Sequence, residues 1–329
     1  MNPLLHEILR VRRPAGSTSE LQFVSRYIDN LPGIRRDKYG NRLLLHPTSR
    51  VLVSVHTDTV HRMPGSQLIK CDGRGVVSLH KRERVSNCLG ADDGAGVYAA
   101  LCMIGAGVPV SYAFHRDEEI GGLGSAWLAA NRPDIPERFD ICIALDRKGT
   151  RDVIIEQCYG ECCSLEFACA LADALGFGHE PEFGSFTDSA NYAHLIPECT
   201  NLSVGYAQAH TRLETLDTGY LERLIIRLCA IDWSGLPIVR NPAETGWKLD
   251  WFREDSWEYM SELQVGVTEN TIQRREKAGK VPKPIKVVHS GGVYYTPEIV
   301  MEHLKFQGAE IVPETPQHVE NWAKNVSRK

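Results

Sequence analysis

Apolar runs of strand length recur through the first half of this 329-residue chain and alternate with segments of helical period. The runs are Val51–His56, 108–115 and 139–145, and Ala-rich stretches at 94–104 and 122–130 lie among them. A strand that is apolar at nearly every position, not at every second one, must be covered on both faces, and intervening helices supply the cover. The rhythm therefore predicts an α/β fold, a three-layer sandwich with a mostly parallel central sheet. Around it, 42–46 reads as a strand neighbouring Val51–His56. The turn signal Cys71-Asp72-Gly73-Arg74-Gly75 predicts a hairpin within 67–81, and 216–231 reads as a long closing helix. Helices are also expected at 4–11 and after Ser17, where Ser17 and Glu20 form a capping box ahead of Leu21, Val24 and Ile28.

Composition narrows the class. With 43% hydrophobic residues the chain can bury a large core, and a net charge of -5 argues against a surface coated by nucleic acid as a whole. The ten cysteines form no CxxC pair with zinc-finger spacing and read as reduced thiols in a cytosolic compartment. The apolar run at the N-terminus is too short for a signal peptide, and no stretch approaches the roughly 18 apolar residues of a membrane span. A cytoplasmic protein without membrane contact is the expectation.

Chemistry-bearing residues gather where the runs end. His56 closes one run, Glu118 and Glu119 follow a second, and Asp146 ends a third, so these groups should converge beyond the carboxyl ends of the sheet. With Asp58, Asp92 and His210 they make a donor inventory for two adjacent zinc ions. It holds imidazoles, carboxylates, one acid to bridge and a spare carboxylate to move a proton. His61, His115 and His194 read as hydrogen-bonded polar residues and not as ligands. Gly94, Gly96, Gly121, Gly122 and Gly124 either allow close packing behind the acids or are ordinary turn glycines.

The segments Val55-His56-Thr57-Asp58, Gly90-Ala91-Asp92-Asp93-Gly94-Ala95-Gly96, Asp117-Glu118-Glu119-Ile120-Gly121, Ala144-Leu145-Asp146 and His210-Thr211 resemble, in order, those of the co-catalytic di-zinc exopeptidases. That group contains secreted bacterial leucyl aminopeptidases, peptidase T and the glutamyl aminopeptidases, and the likeness spans roughly residues 1–235. It implies that Asp92 bridges two zinc ions, that His56 and Asp146 complete one site, and that Glu119 and His210 complete the other. It further implies Glu118 as general base and Asp58 as the acid that fixes the His56 tautomer. Asp93 is not the implied bridge. The loop 184–189 sits where related enzymes carry a substrate-side loop, with Asp188 facing a substrate amine or neighbouring backbone. The short interval between Asp146 and His210 leaves no room for the inserted dimerisation domain of carboxypeptidase-like members. An Asp at position 146 is the choice more typical of aminopeptidases. The implied activity is removal of one residue from the amino end of a small peptide. Two other readings stay open: a metal-dependent amidohydrolase acting on N-acyl amino acids or cell-wall peptides, and a DNA-binding regulator whose peptidase-like body senses a ligand.

The last third changes character. A Pro- and Gly-rich linker at 236–250 leads into 251–329, where helices at 256–264 and 269–278 flank the turn Gly266-Val267-Thr268, and 281–287 with 291–295 reads as a β-wing. The pattern resembles the winged helix-turn-helix of MerR-like and excisionase-like proteins. From Asn270 to Ser290, Arg274, Arg275, Lys277, Lys280, Lys283 and Lys286 stand against Glu276 alone, which suits DNA contact through 268–290. A helical module packed on the peptidase body or on another subunit fits the same residues, and oligomerisation stays open.

Overall fold

This computed structural model describes residues 1–158 and 160–243, together with the antiparallel strand pair Val287–His289 and Gly292–Tyr294. That pair overlaps the stretch read as a wing. The helix-turn-helix, and the DNA contact expected through 268–290 apart from Val287–His289, lie outside the described residues.

Four parallel strands make the centre of a nine-stranded mixed sheet: Glu198–Ser203, Ile141–Arg147, Val51–His56 and Ser111–His115, in that spatial order. Every residue of Val51–His56, Ser111–His115 and Glu198–Ser203 is buried, as strands covered on both faces require. The chain is thus α/β with a mostly parallel central sheet. Antiparallel strands extend both sides, Asp152–Gln157 beside Glu198–Ser203 and Arg42–Leu44 beside Ser111–His115.

One expectation is corrected. Arg42–Leu44 does not neighbour Val51–His56, because Ser111–His115 lies between them. A strand apolar on both faces takes a central position between other buried strands, and the shorter segment is left nearer the edge.

Six α-helices are described: α1 Pro3–Leu9, α2 Thr18–Tyr27, α3 Ala91–Gly105, α4 Leu123–Asn131, α5 Leu165–Leu175 and α6 Thr218–Ala230. Helix α3 packs on the strands ending in His56 and containing Asp146, with α1 and α6 against it. The Ser17 cap forms as expected, its Oγ accepting from Glu20 N at 3.2 Å, a contribution of about 1 kcal/mol. Glu20 does not return the bond to Ser17. Its carboxylate is fully buried and accepts instead from Gly16 N and Thr57 Oγ1, at 2.7 and 2.9 Å.

A second, four-stranded antiparallel sheet joins Tyr206–Ala207, Thr215–Asp217, Val76–Leu79 and Ile69–Cys71. The expected hairpin is here, its turn tied by Asp72 Oδ1, which accepts from Arg74 N and Val76 N at 2.8 and 2.9 Å. The closing helix starts later than its apolar pattern does, because Thr215–Asp217 is strand and Asp217 caps α6 through Tyr220 N. His210 stands in the loop between two strands of this sheet.

Beyond α6 the chain turns through Trp233–Gly235 and packs back on the body. Arg240 is buried and donates to the carbonyls of Ala193, Ile196 and Pro197, while Glu198 Oε1 accepts from Val239 N and Arg240 N. None of the ten cysteines is in a disulfide. Among the described residues no helix is long and apolar enough to cross a membrane.

Candidate metal centre

Strand ends deliver the first donors. His56 closes its strand with the ring 1% exposed, and its Nδ1 faces the Asp58 carbonyl oxygen at 3.1 Å, with Asp58 Oδ1 at 3.5 Å. A proton kept on Nδ1 leaves the Nε2 lone pair as the donor. That Nε2 lies 3.2 Å from Asp92 Oδ1, 3.6 Å from Asp146 Oδ1 and 3.9 Å from Glu118 Oε2. The buried Asp58 carboxylate also accepts from the backbone N–H groups of Glu118 and Glu119, each at 3.1 Å. It therefore ties the end of one strand to the glutamate pair that follows another.

Asp92 stands at the head of α3, in non-helical backbone, and its peptide bond to Asp93 is cis. His210 Nε2 lies 3.2 Å from Asp92 Oδ2 and 3.2 Å from Glu119 Oε2. The two oxygens of Asp92 thus face two different imidazole–carboxylate pairs, His56 with Asp146 and His210 with Glu119. Asp93 lies close behind, with a carboxylate oxygen within 4.8 Å of donor atoms of His56 and Asp146. Its oxygens accept from His56 N at 3.1 Å and Gly96 N at 2.9 Å, so it braces the strand end from behind. Gly96 is needed at that spot, since a Cβ there would collide with the Leu145 carbonyl and the Asp93 carboxylate.

Asp146 is oriented from several directions. Thr187 Oγ1 donates to its Oδ2 at 2.8 Å, Tyr206 OH to its Oδ1 at 3.2 Å, and Asn201 pairs with its backbone N–H and carbonyl at 3.0 and 2.8 Å. Glu214 holds the segment carrying Asp92: its buried carboxylate accepts from Leu89 N, Gly90 N, Ala91 N and Asp92 N, at 2.8, 3.0, 2.8 and 3.1 Å. The sequence reading missed Glu214, Asn201, Tyr206 and Thr187.

The bare residues hold a surplus of buried negative charge. Burial and the Asp92 charge push Glu119 up to about 7, against its bond to His210, and the same two causes push Asp146 up to about 6. Burial drives Glu118 well above the usual carboxylate range despite the nearby His56. His210 is pushed up to about 11 by its bonds to Asp92 and Glu119. Glu119 Oε1 is buried and has no hydrogen-bond partner among the described residues. Divalent cations would relieve both the charge and the orphaned oxygen, and this imidazole–carboxylate donor set suits zinc.

The other histidines are engaged elsewhere. His61 meets Thr59, Gln67 and the Cys88 carbonyl, and burial pushes it down to about 4, while His115 Nε2 meets Tyr192 OH at 3.1 Å. Asp188 is buried, with Oδ1 accepting from Ser125 Oγ at 2.5 Å and Oδ2 without a partner among the described residues. A cleft of about 480 Å³ opens over the centre, with Asp92, Glu118, Glu119, Asp146 and His210 in its wall.

No family model matches the chain, and no curated protein matches it. Solved structures do. Aminopeptidase PepT from Bacillus cereus superposes with a TM-score of 0.56 at 13% identity, over 69% of this chain and 95% of that one. A tripeptidase from Staphylococcus aureus gives 0.56 and 13% over the same shares, 69% and 95%. The TET1 peptidase of Pyrococcus horikoshii, which can assemble into a tetrahedron or a large octahedral shell, gives 0.51 at 16%, over 69% and 97%. The fold of this chain is therefore the fold of these peptidases.

Proposed function

We infer that the chain is a zinc-dependent exopeptidase, an aminopeptidase acting on small peptides. The observation that carries this reading is the placement of Asp92, whose two oxygens each stand 3.2 Å from a different histidine, one paired with Asp146 and the other with Glu119. His56, Asp146 and Asp92 would hold one zinc ion, and His210, Glu119 and Asp92 a second. Bound there, zinc supplies Lewis acidity, lowering the pKa of water and offsetting negative charge that develops at a scissile carbonyl.

The residues of the chain do the rest. Glu118 lies beside His56 but outside both pairs, so its carboxylate is free to take a proton from water and hand it to the leaving amine. Asp58 keeps the His56 ring in one orientation and, through the Glu118 and Glu119 backbone, sets where the base sits. The fold likeness to aminopeptidases and a tripeptidase supports this reading, as does a cleft roomy enough for a short peptide.

Stripping the metal with a chelator should abolish peptide hydrolysis, and zinc should restore it. Glu118→Gln should keep two zinc ions per chain by elemental analysis while turnover falls by about 10²–10⁴-fold. Full activity in either state would sink the mechanism. Cleavage of N-acylated but not free-amine dipeptides would turn the assignment to a deacylase.

A further inference from the structure

Glu20 does more than a helix cap requires. A capping glutamate needs one N–H and can stay in water, whereas the Glu20 carboxylate is fully buried and takes four donors. Its Oε1 accepts from Thr57 Oγ1 at 2.9 Å and Arg116 Nε at 3.2 Å, and its Oε2 from Gly16 N at 2.7 Å and Arg116 Nη2 at 3.3 Å. The Arg116 side chain is only 14% exposed, so the ion pair is largely withdrawn from water. Such withdrawal is costly, and close geometry at both partners must offset it.

The places of the donors identify the use. Thr57 stands between His56 and Asp58, and Arg116 stands two residues before Glu118. Their strands run parallel with His56 beside His115, and Thr57 N, donating to the His115 carbonyl at 2.9 Å, carries the pairing one step further. Strand geometry then ends, with Asp117 at a positive φ of 61°. Past that step two carboxylates tie the chains together: Asp58 through Glu118 N and Glu119 N, and Glu20 through Thr57 and Arg116. Arg13, also fully buried, fixes Thr57 further by donating from Nε to its carbonyl at 2.9 Å. We propose that Glu20 is a positioning residue for the hydrolytic reaction: by spanning Thr57 and Arg116 it sets the distance between the His56–Asp58 strand end and the segment that carries Glu118. This rests on the peptidase reading and deepens it, because a displacement of about 1 Å at a reacting group can cost about 10²-fold in rate.

Substitutions of similar shape open the span without touching a zinc donor. In the zinc-loaded full-length protein, Glu20→Gln, Thr57→Val and Arg116→Met should each lower kcat by about ten- to hundredfold and leave KM near that of the parent. Thr57→Ser keeps the hydroxyl and should retain most of the parent's kcat. The double variant Thr57→Val/Arg116→Met should be no slower than the worse of its two components, since a span open at one end transmits nothing from the other. Val24→Ala, buried on the same helix α2, controls for lost stability and should leave kcat unchanged. Cobalt-loaded protein gives a reading that needs no turnover, because the visible absorption of the metal follows its coordination geometry. That absorption should shift in Glu20→Gln and Thr57→Val and not in Val24→Ala. Such shifts in a parent that hydrolyses no peptide would reject the peptidase assignment and keep Glu20 as the residue that sets the geometry of the centre. Unchanged kcat and unchanged absorption, in variants destabilised as Val24→Ala is, would overturn the positioning role and leave Glu20 as a buried ion pair of the fold alone.

Discussion

His56 is 1% exposed and His210 is 53% exposed, although each stands 3.2 Å from one oxygen of the same carboxylate, Asp92. The buried half is made of regular structure. His56 and Asp146 belong to adjacent parallel strands, and Asp58, Asp93, Thr187, Asn201 and Tyr206 hold them by hydrogen bonds. The open half is made of loop. His210 has a positive φ of 64°, and its partner Glu119 keeps a buried oxygen with nothing to accept from among the described residues. Groups on paired strands are held more closely than groups on loops, which sample local openings at lower cost. Under the di-zinc reading proposed above, two cations sharing Asp92 should therefore differ: one retained by a rigid cage, the other more readily exchanged.

Removing one histidine at a time is the severest way to break this contrast. His56→Ala should lower the stability of the metal-free protein by about 1–3 kcal/mol, as expected for a buried polar group with partners. It should also reduce tight zinc binding to at most one equivalent. His210→Ala should leave the tightly held equivalent in place. Denaturant unfolding and metal analysis after dialysis decide both. Equal losses from the two variants would show that the halves are energetically alike.

Asp58→Asn sharpens the contrast at an intermediate level. The substitution keeps size and the backbone carbonyl that faces His56 Nδ1 but removes the carboxylate charge 3.5 Å from that nitrogen, and loss of such an outer partner lowers metal affinity by about 10–100-fold. Competition with a chromophoric chelator should place that loss in the tighter of two zinc equivalents. A loss confined to the weaker one would contradict the assignment of His56 to the rigid half.

The rigid half was also the half that the sequence made legible. Val51–His56 and the run before Asp146 announce themselves because strands buried on both faces must be apolar throughout, and a polar residue at such a strand's end is conspicuous. Their neighbour Glu198–Ser203 is equally buried yet passed unread, since Thr200 and Asn201 interrupt the apolar pattern. Those two are buried because they are hydrogen-bonded, Thr200 Oγ1 to the Ile154 carbonyl at 2.7 Å and Asn201 to Asp146. Composition cannot report a partner of that kind. The same limit hid Glu214, whose four N–H donors lie 122 to 125 positions earlier. It also misplaced Arg42–Leu44, because strand adjacency is decided by which strands need two neighbours and not by order along the chain.

The smallest expected effect tests how the open half is held at all. Arg212, two residues after His210, donates through NH2 to the Glu83 carbonyl at 2.9 Å and through NH1 to the Ser86 carbonyl. The carbonyls it reaches belong to a turn that Glu83 organises, its Oε1 accepting from Arg84 N, Val85 N and Ser86 N. The arginine thus pins the His210 loop to an ordered turn from outside the donor set. Because the contact is partly exposed, Arg212→Ala removes hydrogen bonds worth about 0.5–1.5 kcal/mol, which converts to roughly a two- to tenfold faster release of the more labile zinc. The second equivalent, caged by the strands, should leave at an unchanged rate. Stopped-flow release into a chelator resolves the two phases, and a change in the slow phase would mean that the halves are mechanically coupled through Asp92 and not independently supported.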